Sequence, residues 1–169
     1  MISITDGQIL LDTNLYNQGI RPAVNVGLSV SRVGGAAQTP IIKSLAGQLK
    51  LELARYDDLQ AFMQFGSELD KHSKLKLERG QRAIEVLKQR QHLLYSFVDQ
   101  ALFLFLLKKG FLDSFKLENI HSVMRKFSSF IKEMHGPLYQ RLTESKELTE
   151  KDGNMLELIA KEFCLAFMQ

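Results

Sequence analysis

The spacing of apolar residues changes at Thr39-Pro40, and this change constrains the fold more than any other feature of the chain. Before it, Ile2-Ser3-Ile4-Thr5 and Val24-Asn25-Val26 alternate apolar and polar side chains, the two-residue period of a half-buried strand. Asp6-Gly7 and Asn17-Gln18-Gly19 supply turn chemistry, and Arg21-Pro22 leads into an extended segment because a residue before proline avoids the helical region. Short strands this few cannot cover both edges of a sheet. They are expected to complete a sheet whose other strands lie elsewhere, which points to a split or truncated polypeptide.

From Thr39-Pro40 onward the period is helical, with threonine suited to the N-cap and proline to the first helical position. Leu45, Leu49, Leu53, Tyr56, Leu59 and Met63 form a single apolar stripe that Gly66 is expected to end. A second helix is predicted from near Asp70, with Leu77, Ile84 and Leu87 inward, and a third from about Ser96 to Lys108, apolar on nearly all sides and therefore central. A fourth carries Ile120, Val123, Phe127, Phe130, Ile131 and Met134. The last starts at Thr149, where Thr149-Glu150-Lys151-Asp152 reads as a capping box with Asp in place of Glu, and runs through Leu156, Ile159, Phe163 and Phe167. The predicted fold class is mostly α, a helical bundle over residues 39–169 preceded by a few strands in residues 1–38.

A chain of 169 residues, 45% hydrophobic and 24% charged, can bury one sizeable core. The formal charge is only +3, and Lys and Arg are interspersed with Asp and Glu, so no basic stripe marks a nucleic-acid partner. The single Cys164 has no disulfide partner, and His72, His92, His121 and His135 lack metal-ligand spacing, so no metal site is expected. They read as solvated or partly packed. The longest apolar run, Ala101 to Leu107, is far shorter than the roughly 20 residues that cross a bilayer, so it reads as a buried helix. Lys108-Lys109 complement that helix's negative end. Met1 to Gly7 show neither a signal peptide's positive region nor the Arg-rich character of a transit peptide, so an organellar protein of this kind would be made in place or already processed.

Pro22-Ala23-Val24-Asn25-Val26-Gly27-Leu28-Ser29-Val30-Ser31 resembles the signature segment shared by the alpha and beta subunits of rotary ATPases. Ile2 to Gln8 resembles the ISITDGQ strand of F-type ATP synthase alpha subunits, Gln64 to Asp70 their QFGSDLD turn, and Leu87 to Gln91 their LKQxQ segment, in the same order and spacing. The similarity is strong to about Gln91 and weaker beyond. The resemblance implies that residues 1–38 end a nucleotide-binding domain, completing its sheet, and that residues 39–169 are the C-terminal helical domain.

By the same resemblance, Arg32 in Ser29-Val30-Ser31-Arg32-Val33-Gly34-Gly35 is an arginine finger reaching toward the gamma-phosphate held by a neighbouring beta subunit. Ser3 falls near the phosphate region of that interface. Tyr16, Arg21, Pro22, Gln89 and Gln91 correspond to adenine-side contacts of the non-hydrolysing nucleotide site, with Tyr16 departing from the usual phenylalanine. Glu68 and Asp70 correspond to the turn that faces the rotating stalk, though a carboxylate at Asp70 is equally a good helix cap. No Gly-x-x-x-x-Gly-Lys-Ser/Thr occurs, so ATP or ADP with Mg²⁺ would be bound at shared sites whose magnesium ligands lie outside this chain, and the chain is not expected to be catalytic alone.

The resemblance further implies an N-terminal fragment of alpha, beta subunits, the central stalk gamma subunit and peripheral stalk components as partners in proton-driven ATP synthesis. Contact with a membrane would be only indirect. The closing segment, Leu156 to Phe167, is closer to mitochondrial alpha subunits, which points to the matrix side of the mitochondrial inner membrane; the alternatives are the stromal side of the thylakoid or the cytoplasmic side of a bacterial membrane. The competing function is a non-enzymatic alpha-like scaffold or assembly module that binds partners through its helical bundle.

Overall fold

The computed structural model describes residues 6–64 and 70–167, and these are predominantly helical, as predicted. Their contacts group into two compact units, one from within Met1–Gln38 and Gly47–Leu93, the other from Thr39–Ala46 and Leu94–Gln169. The expected strand at Ile2 to Thr5 and the expected helix end at Gly66 lie outside the described residues.

In the first unit, β1 (Gly7–Gln8) pairs antiparallel with β2 (Val30–Ser31), Gly7 opposite Ser31 and Gln8 opposite Val30. The pairing continues as an isolated bridge between Leu11 and Val24, with Asp12 N donating to Ala23 O at 2.9 Å and Asn25 N to Leu10 O at 2.9 Å. Val24 to Val26 is thus a single bridge rather than a strand. Asn25 bends the chain there, because its carbonyl accepts from Ser29 N at 2.9 Å and its side-chain Oδ1 accepts from Leu28 N at 3.0 Å. Between the two arms, the unpredicted α1 (Thr13–Asn17) is capped by the Asp12 carboxylate, which accepts from Asn14 N at 2.8 Å. β2 runs straight into α2 (Arg32–Ala37), capped by Ser31 Oγ.

The apolar stripe from Leu45 to Met63 is not one helix: α3 (Pro40–Ala46) stops before Gly47-Gln48, and α4 (Leu49–Gln64) begins anew. Ile41 and Leu45 are buried within the second unit, Leu53 and Tyr56 within the first, so the break lets adjacent stretches serve different cores. Met63, read as part of the stripe, is exposed. Thr39 does not cap α3. Among the described residues its hydroxyl is buried without a hydrogen-bond partner, and the first free amide, Ile41 N, instead donates to Lys146 O at 2.9 Å.

α4 packs on α5 (Lys71–Leu87). The buried residues of α5 are Gly80, Ala83 and Val86, whereas Leu77 and Ile84 are half-buried and Leu87 is exposed. Close approach explains the difference. A Cβ at Gly80 would come within 2.7 Å of Tyr56 Cγ, so the seam admits only small residues and displaces the leucines to its flanks.

In the second unit, α6 (Phe97–Lys108) occupies the central place expected of it, with Leu102, Phe105 and Leu106 almost wholly buried. Its start is a capping box in which Ser96 Oγ accepts from Asp99 N at 3.0 Å and Asp99 accepts from Ser96 N at 3.3 Å. Lys108 Nζ donates to Ser44 O at 2.9 Å and Lys109 pairs with Glu157 at 2.7 Å. α7 (Ile120–Met134), preceded by a 3₁₀ turn at Leu117–Asn119, buries Ile120, Val123, Met124, Phe127 and Ile131, while Met134 at its end is exposed. α8 (Gly136–Ser145) was not expected; Leu138 and Leu142 anchor it.

α9 (Glu150–Phe167) starts as predicted, with one change to the cap. Thr149 Oγ1 accepts from Asp152 N at 3.1 Å but donates to the Asp152 carboxylate at 2.7 Å, so hydroxyl and carboxylate bond each other directly. Leu156, Ile159 and Phe163 are buried, and the exposed Phe167 stacks on Phe163.

Among the described residues three polar side chains, Asp99, Ser128 and Asp152, are buried in this unit. Asp99 is buried and accepts from Ser128 Oγ at 2.5 Å, Lys132 Nζ at 2.8 Å and Ser96 Oγ at 2.9 Å, with Tyr139 Oη at 3.3 Å, so it ties together α6, α7 and α8. Burial pushes its carboxyl up, but the hydrogen bonds from Lys132, Ser128 and Ser96 outweigh that and hold it below the ordinary aspartate value.

Candidate functional site

Arg32 is the first residue of α2, fixed by the strand pairing behind it and the Ser31 cap ahead of it. Its backbone N–H donates to Asp6 O at 3.0 Å, and its guanidinium lies 3.6 Å from the Asp6 carboxylate. The two side chains are 85% and 71% exposed, so the pair contributes at most about 1 kcal/mol, and the guanidinium can exchange Asp6 for a better anion at small cost. Gly34 has a local reason to be glycine, because a Cβ there would run into the Ser31 cap. Val30 and Val33, flanking Arg32, are also exposed.

A second cluster gathers residues far apart in sequence. The Arg21 guanidinium carbon sits 4.5 Å from the centroid of the Tyr16 ring, whose side chain is exposed. Gln89 N donates to Arg21 O at 2.8 Å, which fastens the end of α5 to the Arg21-Pro22 segment. The Gln89 side-chain amide donates to Leu93 O, leaving its oxygen as an acceptor. Gln91 is exposed in the following turn, and none of the described hydrogen bonds ties it to Tyr16 or Arg21. The structure therefore brings together Tyr16, Arg21, Pro22 and Gln89, but not Gln91. A stacking face, a cation and an amide oxygen suit the edge of a heterocyclic base.

Ser3 and Glu68 lie outside the described residues. Asp70 caps α5, its Oδ1 accepting from Ser73 N at 2.8 Å, and the hydrogen bonds with Ser73 hold its carboxyl below the ordinary value. Among the described residues no group of three His, Cys, Asp or Glu side chains is placed to hold a metal ion, and no described helix is long and apolar enough to cross a membrane.

The sequence reading missed a cavity of about 290 Å³ behind Pro22, between the first arm of the chain and the α4–α5 pair. Its lining is drawn from three separate stretches, within residues 15–27, 50–57 and 84–87, and no local pattern marks it.

The profile of the family described as ATP synthase alpha/beta chain, C terminal domain matches residues 38–163. Over 163 residues the chain is 45% identical to an ATP synthase subunit alpha of Nitrosomonas europaea and 44% identical to ATP synthase subunit alpha 2 of Paraburkholderia xenovorans, covering 96% of this chain and 32% of each relative. It is 45% identical to the ATP synthase subunit alpha of Mycolicibacterium vanbaalenii over 167 residues, 99% of this chain and 30% of that protein. The chain thus spans about a third of the length of these relatives.

Proposed function

The chain belongs to the ATP synthase alpha/beta chain, C terminal domain family, and on that premise we propose that it works as the C-terminal part of an alpha subunit in proton-driven ATP synthesis. In this reading Arg32 is an arginine finger for the catalytic site of a neighbouring beta subunit. A planar, permanently charged guanidinium meets phosphoryl oxygens through paired hydrogen bonds and offsets the charge that spreads over them during transfer. The observation that carries the reading is the presentation of Arg32: its backbone is fixed by β1, β2 and the Ser31 cap, while its guanidinium is exposed and, among the described residues, pairs with Asp6 at 3.6 Å. The exposed Val30 and Val33 beside it suit an interface that a neighbour covers.

Tyr16, Arg21, Pro22, Gln89 and Gln91 would form the adenine side of a second, non-hydrolysing nucleotide site. The stacked Tyr16–Arg21 pair and the free oxygen of Gln89 support this. Phosphate cradle and Mg²⁺ ligands would come from the rest of alpha, since the chain has no phosphate-binding loop. Ser3 is assigned to the phosphate region of the catalytic interface, and Glu68 and Asp70 to the turn facing the gamma subunit. Remaining partners would be the N-terminal part of alpha, beta subunits and the peripheral stalk. The relatives named above being bacterial, they lend the mitochondrial location no support and favour peripheral attachment at the cytoplasmic face of a bacterial membrane.

The test is Arg32→Ala in the assembled complex. ATP turnover should fall by about 10³-fold or more while nucleotide affinity and subunit composition persist. Unchanged turnover in an intact complex would refute the assignment.

A further inference from the structure

Hydrogen bonds set the geometry of the arm that carries Arg32, but the burial that would make this geometry persist is missing. Among the described residues 6–38 no side chain is fully buried. β1 and β2 pair through two residues each, and an isolated two-stranded ribbon is marginally stable at best in water. α1 has five residues and α2 has six, neither with a buried one, and helices shorter than about 12 residues hold in water only where packing supports them. The large apolar side chains of the arm lie outward instead: Ile9, Leu11 and Leu28 are 70%, 74% and 62% exposed, and Val30 and Val33 beside the arginine are exposed too. On the side toward α4 and α5, Leu15, Ile20 and Val24 line the space of about 290 Å³ together with Leu53, Ile84 and Leu87, so contacts that would hold the arm down are left open. A backbone bond from Gln89 N to Arg21 O at 2.8 Å ties the arm to the end of α5. The second unit is the opposite case, because α6, α7, α8 and α9 each bury leucine, isoleucine or phenylalanine.

We infer that the Arg32 arm is ordered by assembly: residues 6–37 keep their structure only once neighbouring subunits of the complex cover the exposed aliphatic surface, whereas the second unit folds by itself. The identity of the covering subunits rests on the alpha-subunit reading proposed above; the low stability of the arm does not. Local stability follows buried apolar contact, and a segment that orders on binding meets the cost of ordering at that moment. The consequence is a regulation of the Arg32 site. The guanidinium is held in register for phosphoryl chemistry in the assembled complex and is not held in the free chain, so catalytic competence is coupled to assembly.

Hydrogen exchange of the full chain, alone and in the assembled complex, tests this. The probes in the arm are Asp12 N, Asn25 N and Arg32 N, which donate to Ala23 O, Leu10 O and Asp6 O, and the amides of α6 are the reference. In the chain alone the three arm amides should exchange within about tenfold of the rate of an unstructured peptide, while those of α6 are slowed about 10³-fold or more. In the complex, peptides covering residues 6–37 should slow by about 100-fold or more, read by mass spectrometry. Arm amides as slow as those of α6 in the chain alone, α6 amides without protection there, or no slowing of the arm in the complex would each overturn the inference. Unchanged turnover of Arg32→Ala in a complex whose arm has slowed would instead count against the finger reading alone.

Discussion

Asp99 offers the sharpest measure of how the second unit is held, because one carboxylate serves α6, α7 and α8 at once. Asp99→Ala removes the reciprocal half of the α6 capping box, a loss of about 1 kcal/mol. It also leaves the Ser128 hydroxyl, on a residue only 6% exposed, without the acceptor it holds at 2.5 Å, which costs a further 1–2 kcal/mol or so. The Lys132 side chain is 43% exposed and can turn to water, so loss of the ion pair is discounted to the surface range of about 1 kcal/mol or less. Together these predict a destabilisation of about 3 kcal/mol, against about 1 kcal/mol for Asp99→Asn, whose amide oxygen still accepts from Ser96 or Ser128. Urea unfolding followed by circular dichroism measures both. A cost below about 1 kcal/mol for Asp99→Ala, or equal costs for the two variants, would refute the reasoning. The pH dependence is a second check. Because the folded carboxyl titrates below its unfolded value of about 3.9, the stability it contributes is complete above that pH and is lost as pH falls through the folded value, so wild type and Asp99→Ala should converge under acid conditions.

Two further substitutions follow from the packing. Gly80→Ala gains about 1 kcal/mol of helix propensity but drives a Cβ into the Tyr56 ring, and overpacking of about 1–3 kcal/mol makes the variant a net loss, readable as a lower urea midpoint. Asp152→Ala frees Arg141, which it holds at 3.0 Å, and unties the Thr149 cap of α9; a fall of about 1–2 kcal/mol in the same assay is expected, whereas Arg141→Ala, leaving the cap in place, should cost less than half of that.

What was legible in the sequence was what local chemistry decides. Ser96 and Thr149 announce α6 and α9 because a cap and the helix it starts lie within four residues of each other, and the all-apolar face of α6 leaves it nowhere but the centre. α8 escaped for a local reason too: Gly136-Pro137 reads as a break, yet proline's fixed φ and missing N–H suit the first turn of a new helix as well as they end an old one. Other differences are tertiary. The stripe from Leu45 to Met63 shows that these residues are apolar, not that two cores divide them, and α5 shows Leu77 and Leu87 without showing that Tyr56 approaches at Gly80.

The candidate site divides along the same line. Arg32 was singled out through resemblance; that it opens a helix capped by Ser31 was not foreseen, since the helical period was read from Thr39 onward, and the strand behind it is held by β1, a partner distant in the sequence. The Tyr16–Arg21–Gln89 cluster was reached only through resemblance, since no pattern links a ring in α1 to an amide seventy-three residues later; the bond from Gln89 N to Arg21 O does so in space. The same resemblance grouped Gln91 with Gln89, yet only Gln89 is held against Arg21, because one residue of a turn can meet the arm while the next projects past it. The consequence is a division of labour that mutation can expose. The Gln89–Arg21 bond joins backbone atoms, so Gln89→Pro, which removes the N–H, would loosen the path of Arg21-Pro22 and the ring stack, whereas a side-chain change at Gln89 or Gln91 acts through that side chain's own contacts.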